Sequence, residues 1–191
     1  IALLSLALQG ETSPADATGT ETALGNATTS QGKGDFTINT DVLTEFSQHS
    51  TNVILDWQTD LQQPAGHSLE FRQADGFAIL NRSPGEHASD FWGRVVCDAT
   101  CIFTNRAGIN FRDGSFVDVG QIIAAAGDLS NSDFLTGEYR FGALDGSVTN
   151  SGWMQGSAIS LLGRSVANFG HINTPDGSFL MAAGEEILLR D

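Results

Sequence analysis

NRAGINFRDGSFVDVGQIIAAAGD, Asn105 to Asp128, is the stretch whose reading decides the fold. Ile109 and Phe111 alternate with polar residues as one short strand, Phe116 and Val117 open a second, and Ile122 to Ala126 form a third. Asp113-Gly114 and Gly120 stand between them and permit turns with positive φ. A helix through this stretch would be interrupted repeatedly, at a cost of about 1 kcal/mol for each interior glycine relative to alanine. The chain therefore reads as β-structure that turns every few residues.

The same pattern recurs outward from this stretch. Val148-x-Asn150-x-Gly152 returns as Val166-x-Asn168-x-Gly170, a shift of 18 residues. Ala126-Gly127, Leu162-Gly163 and Ala183-Gly184 each close an apolar run, at shifts of 36 and 21. Asp-Gly-Ser begins at 113, 145 and 176, each time leading into an apolar strand. A repeat of roughly 18 to 21 residues with two or three short strands suits coils of parallel β-structure. One coil cannot bury its own two ends, so coils stack and like residues form ladders. Towards the amino terminus, strand patterns appear at FTINTDV, NVILDWQ (52–58), SLEFR (68–72) and GFAILN (76–81), and Asp90 to Val96 runs on into the cysteines.

Blocks of the chain resemble the filamentous-haemagglutinin amino-terminal domain, also called the two-partner-secretion domain. They are NVILDWQT (52–59), FAILNR (77–82), the run 102–141, GSVTNSGWMQG (146–156) and the run 159–191. The resemblance implies an all-β, right-handed parallel β-helix (solenoid) with an amino-terminal cap and a few antiparallel strands. It also implies a role in directing a large secreted adhesin or cytolysin to an outer-membrane transporter. The family's Asn-Pro-Asn-Gly-Ile turn is matched here by Asn105, Gly108 and Ile109, whereas Arg106 and Ala107 depart from it.

Composition narrows the partners. With nine Lys plus Arg against 23 Asp plus Glu, the net charge of -14 disfavours nucleic acid and anionic lipid. Cys97 and Cys101, in VVCDATCIF, read either as two buried thiols or, in an exported protein, as a local disulfide across a short bulge. A metal site is disfavoured because no histidine or second cysteine pair lies nearby. Asp113 with Asp118, and Asp128 with Asp133, could act as acid and base on a polysaccharide if about 5–10 Å apart. Most stand beside Gly or Ser, however, and read as turn-formers. His49, His67, His87 and His171 show no ligand spacing, and no Gly-x-Ser-x-Gly elbow or phosphate-cradling loop occurs. The sequence implies no catalytic residue, cofactor or metal ligand. Trp57, Trp92 and Trp153 fill a cap or a coil end, or stack on sugars where exposed. Asn26-Ala27-Thr28 and Asn81-Arg82-Ser83 match the N-glycosylation sequon.

Residues 1–34 are expected to form an apolar leading strand and a Ser/Thr/Gly-rich arm, and 35–191 the β-helix domain. IALLSLAL resembles the end of a signal-peptide apolar core, with Ala15-Asp16-Ala17 as a small-x-small site. The alternative carried forward is a mature strand covered by its own domain or a neighbouring subunit. Ile1, Leu3, Leu4, Leu6 and Leu8 would then meet an open last coil at Leu188 and Leu189 of another copy. Such a heterologous, non-closing contact generates a fibre. The expected function is an exported bacterial protein at the cell surface or outside it, self-assembling head to tail as a filament or coat. The alternative is a secretion-targeting domain whose partner is an outer-membrane transporter.

Overall fold

Short apolar runs broken by Gly, Asn and Asp cannot lengthen into flat strands, so the chain turns and stacks upon itself. The computed structural model describes residues 20–22, 24–39 and 42–190. The leading apolar residues Ile1, Leu3, Leu4, Leu6 and Leu8 lie outside the described residues. The fold is a parallel β-solenoid of about six turns with a few antiparallel strands.

The cap comes first, as β1 (Thr20–Thr22), β2 (Gly25–Gln31) and β3 (Gly34–Asn39). Coil one contains β4 (Leu43–Gln48), β5 (Asn52–Trp57) and β6 (Gln62–Gln63), one strand on each of three faces. Coil two repeats this as β7 (Ser68–Arg72), β8 (Ala78–Arg82) and β9 (Ser89–Phe91). In coil three, β10 (Arg94–Thr104) bends through the first two faces and β11 (Ile109–Phe111) takes the third. Coil four begins with β12 (Phe116–Ala125). It then makes an excursion through β13 (Asp128–Leu129), α1 (Asn131–Thr136) and β14 (Tyr139–Gly142) before returning as β15 (Ser147–Asn150). Coil five is β16 (Trp153–Gly163) and β17 (Ser165–Asn168), and coil six is β18 (His171–Asn173) and β19 (Ser178–Ala183). Finally β20 (Ile187–Leu189) leaves the stack and pairs antiparallel with β14.

Ladders fill the interior. On the second face Val53, Ile79, Cys101, Ile122, Ile159 and Phe179 stack in register. On the first face Leu69, Val95, Val117, Met154 and Ile172 do the same. Each fully buried Ile, Leu or Val contributes on the order of 2 kcal/mol. The second face is buried on its outer side as well. There Ile54, Leu80, Ile102 and Ile123 pack in one cluster with Leu129, Phe134, Phe141 and Leu144 from the excursion. Burial on both sides explains why these strands read as continuous apolar runs instead of alternating ones.

Several expectations shift. Residues 25–31, read as part of an arm, form β2 and pair antiparallel with β5, burying Ala27. Ala125 pairs with Leu162, a shift of 37 (162 − 125). The shift of 36 is one coil carrying the excursion, displaced by one residue. Leu162 pairs with Ala182, a shift of 20 (182 − 162) rather than 21. The Asp-Gly-Ser triplets precede β12, β15 and β19, which lie on three different faces, so they mark no common corner. The 18-residue match is a true register, since Val148 pairs with Val166 and Asn150 with Asn168. Neither β4 nor α1 was anticipated. The helix is stopped at both ends by local chemistry: the Ser130 side chain accepts from the Asp133 amide, and Gly137 takes a left-handed conformation.

Candidate functional site

The turn Asn105–Ile109 joins the second face to the third in coil three, and Asn105 is fully buried there. Its Nδ2 lies 3.1 Å from Asp60 Oδ1, 2.9 Å from the His87 carbonyl and 2.8 Å from Ser89 Oγ. Its Oδ1 accepts from the Ala107 amide at 2.9 Å, closing an Asx-type turn. Asp60 in turn accepts from the amides of Gly85 at 2.8 Å and His87 at 2.7 Å. Coils one, two and three are therefore tied by one buried polar cluster. Gly108 follows at φ 128°, and a Cβ there would stand 3.0 Å from the Ser147 carbonyl of the next coil. Ile109 points into the core. Arg106 and Ala107 face outward. Arg106 ion-pairs with Asp128 at the start of the excursion, and that hydrogen bond and charge raise its pKa further.

Asp60 was not singled out in the sequence. Its partners Gly85, His87 and Asn105 lie 25, 27 and 45 residues away, so no local pattern announces it.

Cys97 and Cys101 are joined by a disulfide, and both face the interior. Pairing between β10 and β12 breaks its register between Cys97 and Thr100, so the bridge spans a β-bulge where two faces meet.

The two ends of the stack differ. At the amino-terminal end β3 covers the first face and β2 the second, both antiparallel. At the other end no coil covers β18 and β19 among the described residues. Phe179 and Met181, whose ladder partners Ile159 and Leu161 are fully buried, are 43% and 38% exposed. Leu188 and Leu189 are not in this end. They lie in β20 on the outer flank, paired with Arg140 and Tyr139, and Leu189 packs on the outer apolar cluster.

The carboxylates expected to be worth checking have different surroundings. Asp118 is bonded to Arg94 at 2.8 Å and to Gln155 at 2.9 Å, whereas Asp113 stands exposed in a turn. Asp128 is engaged by Arg106, and Asp133 lies in the first turn of α1. His49, His87 and His171 are exposed, while His67 is buried with Nδ1 unpartnered and its pKa lowered by burial. Among the described residues no group of three or more His, Cys, Asp or Glu could hold a metal ion. Asn81 is buried in the core, accepting from Trp57 Nε1 at 3.2 Å, so its sequon is closed to a glycosyltransferase. Asn26 is exposed.

No protein-family model matches the sequence, and no curated protein matches it either. Among solved structures, the chain is similar to the crystal structure of the HMW1 secretion domain from Haemophilus influenzae, with a TM-score of 0.72 at 19% identity. The fold is secretion-domain-like. The match covers 88% of this chain and 46% of the other, so this chain spans about half the length of that neighbour. The resemblance read from the sequence therefore holds for the fold.

Proposed function

We propose that this chain is a non-enzymatic β-helix module of an exported bacterial protein. It is presented to an outer-membrane transporter and seeds further parallel β-structure at its open end. The asymmetry of the stack carries this reading: one end is closed by antiparallel strands, and the other leaves Phe179 and Met181 half exposed. An uncovered coil offers unpaired backbone groups and an apolar floor, which template another strand. The likeness to a secretion domain supports export as the context. No helix among the described residues is long and apolar enough to cross a membrane. The test is a reporter fused after residue 190 and co-expressed with an outer-membrane transporter from the same genome. Transporter-dependent release into the medium is expected, and retention in the periplasm with a folded reporter would overturn the proposal.

The same open end would accept a strand from another copy, and IALLSLAL has the apolar character of such a strand. Head-to-tail addition would give a filament or surface coat. Electron microscopy and sedimentation of protein with residues 1–10 intact decide this. Strictly monomeric particles over a broad concentration range would remove it.

A further inference from the structure

The corner between the third and first faces carries an ordered stripe of rings. Phe91, Phe111, Asn150 and Asn168 pair in succession, so the residues that follow them occupy one corner on four successive coils. Those residues are Trp92, Arg112, Ser151 and Phe169. A second column beside it runs Arg94, Phe116, Trp153 and His171. The Arg112 guanidinium lies 5.5 Å from the Trp92 ring centroid, and Arg94 lies 5.1 Å from that of Phe116. Trp153 stacks on His171 at 4.0 Å and 22°. Trp92, Trp153 and Phe169 are nevertheless 46%, 42% and 79% exposed. Large rings held in register yet left in water are the kind of exposed apolar surface that binding sites use.

Beside the second column lies a shallow, open groove of about 420 Å³ lined by Asp113, Phe116, Trp153 and His171. Its floor is bare for a structural reason. A Cβ on Gly152 would stand 2.1 Å from Ser115 Oγ, and one on Gly170 would stand 2.1 Å from the Gly152 carbonyl. Coil stacking thus requires glycine there, and the groove between the rings follows from it.

We propose that this groove binds a neutral glycan of several sugar rings. The apolar C–H face of a pyranose lies on the exposed part of Trp153, while its hydroxyls donate to the Asp113 carboxylate and bond to His171. Charge selects the neutral class. Lys33 is the one lysine among nine Lys plus Arg, leaving eight arginines (9 − 1). Every one of them is ion-paired with a carboxylate, Arg94 with Asp118 and Arg112 with Asp90 among them. An acidic polysaccharide would meet a chain of net charge -14 without an unpaired guanidinium. Shape disfavours a protein partner, because the stripe is one corner wide and a stable protein interface covers about 800 Å² on each side. Along the corner Trp92 and Trp153 stand two ladder rungs apart, about 10 Å along the stack at the usual strand spacing, so one extended chain spans both.

Intrinsic fluorescence and titration calorimetry test this with cellohexaose, maltohexaose and chitohexaose, using a heparin hexasaccharide as the acidic comparator. Of the three tryptophans Trp57 is buried, so a change in emission reports on Trp92 and Trp153. At least one neutral hexasaccharide is expected to bind. Trp153→Ala and Asp113→Ala should each weaken that binding by about tenfold with the thermal transition unchanged. Should Trp153→Ala lower the transition, Asp113→Ala in its exposed turn decides alone. No binding of any neutral probe at millimolar concentration, preference for the heparin fragment, or binding indifferent to Asp113→Ala overturns the proposal.

Discussion

Asn105 holds three coils together through one amide, and replacing it shows how much of the solenoid depends on that corner. In Asn105→Ala the Ala107 amide loses its acceptor, and the His87 carbonyl and Ser89 hydroxyl lose a donor. Asp60 keeps the amides of Gly85 and His87. A buried polar group left without a partner costs about 1–3 kcal/mol, and some of these regain water at the part-buried edge. The expected loss is about 2–4 kcal/mol, a large fraction of a typical 5–15 kcal/mol stability. Asn105→Asp is more telling, because Nδ2 lies 3.1 Å from Asp60 Oδ1 and becomes a carboxylate oxygen facing another. Two charges about 4 Å apart repel by about 4 kcal/mol at an effective dielectric constant of 20. The aspartate variant should therefore be less stable than the alanine variant near pH 7. It should recover towards that variant as pH falls and one carboxyl of the pair takes up a proton. Urea unfolding followed by far-ultraviolet circular dichroism and by tryptophan emission measures this. Coincident transitions shifted together mean that the corner supports the whole stack. A loss below about 0.5 kcal/mol for Asn105→Ala, or an aspartate variant no worse than alanine at neutral pH, would refute the reasoning.

Three further outcomes are expected. Gly152→Ala forces a Cβ to within 2.1 Å of Ser115 Oγ and 2.6 Å of its carbonyl, and should cost at least about 1–3 kcal/mol in thermal unfolding. Gly142→Ala, with open space around it, is the near-neutral control. Burial lowers the pKa of His67 in the folded chain, so below its ordinary value of 6.5 the unfolded state binds more protons than the folded one. The stability contribution of neutral His67 is complete above pH 6.5 and is lost as pH falls towards the folded-state value. His67→Gln should flatten that slope in unfolding free energies measured against pH. The Cys97–Cys101 bridge closes a loop with a sequence separation of 4. Replacing both cysteines with serine should cost about 2 kcal/mol by the loop-entropy relation, read in urea with and without reductant.

Much of the strand content was legible from residue order. Alternation over 36–38 and 109–111, the turns at Asp113-Gly114, and the Val-x-Asn-x-Gly repeat all describe what the backbone does locally. The 18-residue match became a real register because Val148 and Val166, like Asn150 and Asn168, occupy the same environment one coil apart. Sterics at glycine and the burial of alternate side chains act over a few residues, so a sequence expresses them directly.

What only the tertiary structure decided were relations across coils. Residues 25–31 look too polar to order themselves, yet they close the stack because β5 supplies the hydrogen bonds and Trp57 lies opposite Ala27. The excursion through β13, α1 and β14 lengthens one coil far beyond the repeat, and its apolar residues explain why the second face is greasy on both sides. Asp60 has partners up to 45 residues distant, so its role exists only once three coils are stacked. The ring column Trp153–His171 was hidden in the same 18-residue shift, but its exposure depended on which way that corner turned. Local chemistry determined that the chain would turn and pair; long-range register, set by burial summed over whole ladders, determined what each turn would face.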